Sequence, residues 1–227
     1  MGKHIKHFKT GDKVYGLTGF NLGTYAEYTC MKEIDSKIGC ISLKPSNVTH
    51  EEATMLVYGG ALAFQYLEKG NIQQGQKVLI YGASGTTGTL AIQIVKKLGA
   101  EVTAVCSTSN LEMVKDLGAH FAMDYTKRDN VPEGAHYDFM LDAVGKAKTS
   151  KLKEACKKSL STQRRYVSID DGDLKLDSER LNKIKTYVEA GNLKPVLDKI
   201  YPLEEIVEAH RYVEKGHKKG GVAITVK

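Results

Sequence analysis

Lys77-Val78-Leu79-Ile80-Tyr81-Gly82-Ala83-Ser84-Gly85-Thr86-Thr87-Gly88 is the stretch from which the rest of this 227-residue chain can be read. An apolar run, Val78 to Tyr81, passes directly into three glycines, Gly82, Gly85 and Gly88. A helical pattern follows, with Leu90, Ala91, Ile94, Val95 and Leu98 on one face and Gly99 as its stop. Strand, glycine turn and helix in this order can cradle phosphate. Glycines let the backbone turn sharply and approach a pyrophosphate, and the helix start offers N–H groups and the positive end of its dipole. The spacing is G-x-x-G-x-x-G rather than the commoner G-x-G-x-x-G. Glycine spacing alone is a weak signal, and the strand before it and helix after it are what make this a candidate dinucleotide site. A tight strand-to-helix turn with no ligand is the alternative.

The next strand bears on which dinucleotide. Val102 to Val105 is apolar and ends in Cys106-Ser107-Thr108-Ser109-Asn110. A site for NAD usually has Asp or Glu at this strand end, about 20 residues past the glycines, to hold the ribose 2′-hydroxyl. No acid lies between Glu101 and Glu112. Small hydroxyl and amide groups stand there instead, which suits a 2′-phosphate and points to NADPH. Ser109-x-x-Glu112 equally fits a capping box for the following helix, and no Arg is at hand.

Composition narrows the remaining classes. With 41% apolar residues the chain can bury a core, and no 18-residue apolar run predicts a membrane span. Met1-Gly2-Lys3-His4-Ile5-Lys6 is not a signal peptide, so a cytoplasmic location is expected and the sequon Asn47-Val48-Thr49 should be unmodified. Cys30, Cys40, Cys106 and Cys156 are scattered, with no C-x-x-C, which predicts neither a zinc lobe nor a disulfide framework. The net charge of +6 is spread along the chain, and no basic run interleaves with aromatics, which argues against nucleic acid. Lys151 to Lys158 and Ser178 to Lys185 mix lysines with acids and read as solvated helix faces. The seven histidines, including His4-x-x-His7, show no ligand spacing, so no metal is expected. No acid–base or nucleophile constellation emerges, and no catalytic residue is assigned. Tyr58, before Gly59-Gly60, could face a cleft or lie in the core or surface.

Three parts follow along the chain. Residues 1–50 read as β, with alternation in Asp12 to Gly16 and Tyr25 to Thr29. Residues 51–75 read as helical, broken near Gly59-Gly60. From 77 to 170 strand and helix alternate, with strands at Val78–Tyr81, Val102–Val105, Phe121–Tyr125, Phe139–Ala143 and Tyr166–Ile169. That rhythm predicts an α/β fold with a parallel sheet. Helices are expected over Asp177 to Ala190 and Leu203 to Glu214, and a last strand at Val222 to Val226.

Several stretches carry a family resemblance: Phe8 to Gly16, Gly23 to Tyr28, Gly82 to Gly88, Leu117-Gly118-Ala119, Asp124-Tyr125, Asp142 to Gly145, and Glu208-Ala209-His210 to Val226. On these the chain resembles the medium-chain dehydrogenase/reductase superfamily, in its zinc-free, quinone-oxidoreductase-like branch. The resemblance implies a Rossmann-type parallel sheet of about five strands at residues 53–191, plus a partial GroES-like β domain from 1–52 and 192–227. It implies an NADPH-dependent reductase of quinones, enones or related carbonyls. Ser84, Gly85, Thr86, Thr87 and Gly88 would cradle the pyrophosphate. Ser107, Thr108 and Tyr125 would surround the adenosine ribose and its phosphate, with Val144 along the cofactor and Ser168 near the nicotinamide.

The chain departs from the family in two places. The family has a further segment ahead of the Phe8–Gly16 match, forming one wall of the substrate cleft, so an amino-terminally truncated member is expected here. The sixth sheet strand, which often pairs across a dimer, gives way to Asp170-Asp171-Gly172-Asp173-Leu174-Lys175 and then a helix. An exposed sheet edge and self-association through another surface are expected. A catalytically impaired NADPH-binding remnant, or an interaction module, is the alternative to the reductase.

Overall fold

The structure is a computed structural model that describes residues 2, 5–19, 23–33, 39–175 and 177–226, without the side chains of Gln163 and Arg164. His4 of the His4-x-x-His7 pair therefore lies outside the described residues. In chain order the elements are β1 (Val14–Leu17), β2 (Cys40–Leu43), α1 (His50–Met55), α2 (Ala61–Gly70), β3 (Lys77–Tyr81), α3 (Thr86–Lys97), β4 (Glu101–Cys106), α4 (Leu111–Asp116), β5 (Phe121–Asp124), β6 (Tyr137–Asp142), α5 (Lys151–Lys158), β7 (Leu160–Ser168), α6 (Ser178–Glu189), β8 (Leu197–Pro202), α7 (Ile206–Glu214) and β9 (Gly221–Thr225). They divide into two compact units, residues 62–174 and residues 1–61 with 175–227.

The 62–174 unit is an α/β layer around a five-stranded sheet in the order β5-β4-β3-β6-β7. Every neighbouring pair is parallel, with Tyr81 level with Val105 on one side and with Asp142 on the other. The expected sheet of about five strands is therefore present. Parallel strands buried on both faces read as continuous apolar runs. Val78, Leu79, Ile80, Val102, Ala104, Met140 and Leu141 are all fully buried. So are Leu90, Ala91 and Ile92 of α3, each large side chain contributing roughly 1.5–3 kcal/mol of burial. Leu98, expected on that buried face, instead ends α3 as its C-cap and is 39% exposed. The chain steps outward from β3 to β5, then returns to β6 on the other side. The reversal between β3 and β6 is the topological switch point where such sheets bind ligands.

The α5 lysines correct the reading of a wholly solvated face. Lys153 is completely buried, like its neighbours Leu152 and Cys156, because a carboxylate waits for it inside. The expected helix break at Gly59-Gly60 is a π-helical turn, Leu56–Gly60, between α1 and α2, so residues 50–70 stay helical.

In the other unit β1 pairs antiparallel with β2, and β8 parallel with β9. Tyr25 to Thr29, expected as a strand, joins no ladder among the described residues, and Tyr25 and Tyr28 are exposed. Thr49, the last residue of the sequon, is occupied as the N-cap of α1 in a capping box with Glu52. The expected helix at 177–190 is α6, capped by Asp177, and Gly191 stops it in the left-handed region at φ +72°. Tyr15, 7% exposed, donates its hydroxyl to Leu181 O at 2.6 Å.

Glu189 joins the loop after β2 to α6. It accepts from Ser46 N at 2.9 Å and Ser46 Oγ at 3.0 Å, and pairs with Lys185 Nζ at 2.5 Å. The Lys185 hydrogen bond, then Ser46, lower its carboxyl pKa to about 2 from 4.5. A depressed carboxylate pKa means stability that is present above the unfolded value and is lost as pH falls through the folded one. Glu189→Gln should therefore flatten the fall in melting temperature between about pH 4.5 and about pH 2. Thermal melts of both chains over that range test this, and parallel curves would rule the contribution out.

Candidate dinucleotide site

The C-terminal edge of the parallel sheet collects every residue singled out for cofactor contact. Ser84 to Gly88 follow β3, Ser107 and Thr108 follow β4, Tyr125 follows β5, Val144 follows β6, and Ser168 ends β7. The three glycines are there for three different reasons. Gly82 has φ +81°, and a Cβ on it would overlap Val144 Cγ2. Gly88 lets the start of α3 sit on the turn, since a Cβ would overlap Gly82 O and come within 2.7 Å of Ala83 Cα. Gly85 is the N-cap of α3 at φ −79°, ψ 173°, an ordinary extended conformation. A Cβ there would meet nothing nearer than Gly82 O at 3.6 Å, so the space above it is open. Gly82 N and Ala83 N donate to Val105 O at 3.1 and 3.0 Å, fixing the turn over β4. Among the described residues no side chain caps α3, a twelve-residue helix whose start faces this turn.

The end of β4 departs from the expected capping box. Thr108–Asn110 is a 3-10 turn, α4 begins only at Leu111, and no side chain caps it. Ser109 lies inside the turn, 3.4 Å in Oγ–Oγ distance from Ser107, too early to cap α4. Asn110 is 4% exposed; its Nδ2 donates to Ser107 Oγ at 3.1 Å, and its Oδ1 has no partner among the described residues. A buried amide oxygen without a donor can accept from a ligand or a water. Cys106 is buried, and burial first, then Asp124, pushes its thiol up to about 11, so it is no nucleophile at neutral pH.

Asp124 is the residue that reading along the chain missed. The second strand supplies no acid, but β5 pairs in register with β4, Cys106 level with Asp124, and brings a carboxylate to the same edge. Thr108 donates its hydroxyl to Asp124, and Thr126 gives it N–H at 2.9 Å and hydroxyl at 2.7 Å. The Thr108 hydroxyl, then those of Thr126, hold this carboxyl below its ordinary range. The end of β4 itself carries no acid, as expected, but its neighbour β5 brings one to the same edge, with neutral donors on both its oxygens. The detectable signal was the parallel neighbour, since the end of β5 must lie beside the end of β4.

On the other side of β3, Val144 N and Gly145 N donate to Asp142 Oδ1 at 3.1 and 3.2 Å. Ser168 is fully buried, its Oγ accepting from Asp170 N at 3.3 Å, which leaves its hydroxyl little access to a ligand. Tyr125 is 44% exposed, its N–H donating to Cys106 O at 3.1 Å. Tyr58 is 55% exposed in the π turn. Among the described residues no group of three or more His, Cys, Asp or Glu converges as metal ligands. No described helix is long and apolar enough to cross a membrane. An open space above Gly85, an uncapped helix start and a hydroxyl-rich strand end on one edge fit a dinucleotide.

Comparisons with known proteins agree with this architecture. The family described as zinc-binding dehydrogenase matches residues 117–224. A 2-methylene-furan-3-one reductase of Solanum lycopersicum is 32% identical over 99% of this chain and 60% of its own length. A chloroplastic NADPH-dependent alkenal/one oxidoreductase of Arabidopsis thaliana gives the same 32%, 99% and 60%. This chain therefore spans about 60% of these two relatives. A mitochondrial NAD(P)H oxidoreductase of Bos taurus is 32% identical over 99% of this chain and 67% of its own. Among solved structures, an alcohol dehydrogenase superfamily protein from Novosphingobium aromaticivorans superposes with a TM-score of 0.82 at 26% identity, covering 98% of this chain and 77% of that one. With the βαβ glycine turn at the switch point, these relationships establish that the chain belongs to the medium-chain dehydrogenase/reductase superfamily.

Proposed function

We propose that this chain binds NADPH across the C-terminal edge of its parallel sheet and serves a zinc-free reduction of a small enone, quinone or related carbonyl. The observation that carries the reading is the open, uncapped glycine turn at the switch point, with Gly85 leaving room where a pyrophosphate would lie. The relatives' names add the chemistry: one is an NADPH-dependent alkenal/one oxidoreductase and another a furanone reductase. Bound NADPH would supply the hydride; the protein supplies binding and orientation.

In this reading the start of α3 holds the pyrophosphate, while the N–H groups of Gly82, Ala83 and Gly85 are taken by Val105 O and Gly82 O and shape the turn beneath it. Ser107 accepts from Asn110 and keeps its own proton to give to the 2′-phosphate. Thr108 already gives its proton to Asp124, so it presents only lone pairs, and Ser107 with the exposed Tyr125 hydroxyl are the better phosphate donors. Val144 gives an apolar wall on the β6 side.

Fluorescence titration with NADPH, followed by NADPH oxidation with a small quinone or enone, tests the proposal. No saturable NADPH binding would end it. Binding without turnover would favour the non-catalytic alternative. Ser107→Asp should weaken NADPH relative to NADH by roughly 1–3 kcal/mol, through loss of a donor and repulsion of the 2′-phosphate. An unchanged ratio of the two dissociation constants would remove Ser107 from the site.

A further inference from the structure

The loop after β6, residues 143–150, is held from beneath by one buried ion pair. Lys153 of α5 and Asp142 at the end of β6 are both fully buried, with Nζ 2.5 Å from Oδ2. Lys153 Nζ also donates to Gly145 O and Lys148 O, each at 2.7 Å, so its three protons all have acceptors. Asp142 Oδ1 takes the N–H groups of Val144 and Gly145, and Oδ2 takes the Tyr166 hydroxyl at 2.6 Å. Ser150 closes the loop, accepting from Lys153 N at 3.0 Å and lying 2.8 Å from the Tyr81 hydroxyl. The pair thus reaches the loop's beginning and middle, and the backbone of Lys153 reaches its end.

A buried ion pair is expensive to desolvate, and apolar side chains of similar size often stabilise a fold as well or better. An apolar residue at 153 would pack α5 against the sheet, but it could not grip Gly145 O and Lys148 O. The pair's distinctive result is the position of the loop. That position matters at Gly82, where a Cβ would overlap Val144 Cγ2. Val144 thereby borders the glycine turn on the β6 side of the switch point, while Ser107 and Thr108 border it on the β4 side.

We propose that Lys153 is a positioning residue for the nicotinamide-bearing half of the dinucleotide, fixing loop 143–150 and holding Val144 against the glycine turn through Asp142. The proposal rests on the dinucleotide reading above, and it assigns work to a lysine that touches no ligand.

The test compares two nucleotides on the whole chain. NADPH spans both sides of β3, and adenosine 2′,5′-bisphosphate probes the adenosine side alone. Lys153→Met should weaken NADPH by about tenfold or more while leaving the bisphosphate within about twofold, because only one half of the site is displaced. Amide exchange without nucleotide should quicken over 143–150 and stay unchanged over 107–110. If Lys153→Met fails to fold, the double variant Asp142→Asn with Lys153→Met, which leaves no unpaired buried charge, carries the same comparison. Equal losses for both nucleotides, or a loosened loop with NADPH binding unchanged, would overturn the positioning role. A parent chain that binds no NADPH would overturn the dinucleotide reading and Lys153's role with it, and is told apart because the parent itself fails.

Discussion

Gly85→Val should abolish NADPH binding in a chain that stays folded, whereas the smaller change Gly88→Ala should destabilise the fold. The opposite outcomes follow from where each missing Cβ would go. Gly85 has an extended backbone at φ −79°, which valine adopts readily, and its Cβ would have 3.6 Å of clearance from Gly82 O. The valine methyls would then fill the space above the turn that the pyrophosphate needs, and a loss of at least about a hundredfold is expected from an obstruction in so close a backbone approach. Gly88 has no such room. Its Cβ would overlap Gly82 O and lie 2.7–2.8 Å from Ala83 Cα and C, all backbone atoms that cannot rotate aside. Overpacking of this kind costs about 1–3 kcal/mol, and more where backbone must move. Circular-dichroism melts beside NADPH titrations separate the two effects. Normal NADPH binding by Gly85→Val would mean that the cradle lies elsewhere. A Gly88→Ala chain as stable as its parent would contradict the packing of α3 on the turn.

The sequence was informative where the physics is local. β3 is buried on both faces and reads as an unbroken apolar run from Val78 to Tyr81, β4 and β6 read as largely apolar ones, and Gly191 marks the end of α6 by its left-handed backbone. It was misleading where a partner decides. Tyr25 to Thr29 alternates as a strand would, but alternation says which faces a segment has, not whether a neighbour exists to pair with it. β2 and β8 are short or half-exposed strands of mixed polarity, and only their ladders with β1 and β9 define them. Ser109 and Glu112 have capping-box spacing, yet the 3-10 turn delays the helix by enough to strand the serine. Asp124 is near Thr108 through sheet order rather than along the chain. Apart from that local turn, the deciding contact joins residues distant in sequence, which spacing rules do not reach.

Lys153→Met should lower the stability of the chain by about 3–5 kcal/mol, the usual cost of leaving one member of a buried ion pair uncompensated. Nothing in the run Lys151 to Lys158 distinguishes this lysine from Lys151, whose ammonium pairs with Asp129 at an exposed position, or from half-exposed Lys157, which pairs with Glu154. The difference lies in the interior partner, Asp142, which after the substitution would keep its donors from Val144, Gly145 and Tyr166 but lose the ammonium bonded to it. Gly145 O would lose its 2.7 Å donor and keep the longer one from Lys148 N at 3.4 Å, and Lys148 O would lose Lys153 Nζ. Lys157→Met is the control, because its ammonium is solvated, lying between Glu154 and the Tyr166 ring, and solvated pairs contribute about 0–1 kcal/mol. Adding Asp142→Asn to Lys153→Met removes the stranded charge and should restore part of the loss, while the two carbonyls still lack the ammonium donor. Urea denaturation of the parent, both single lysine variants, Asp142→Asn and the double variant completes a thermodynamic cycle for the pair. The expected signature is strong non-additivity between positions 142 and 153, with the double variant less damaged than the two single losses together. If Lys153→Met costs no more than Lys157→Met, the lysine is not held in the interior and the grip on loop 143–150 is lost as an explanation.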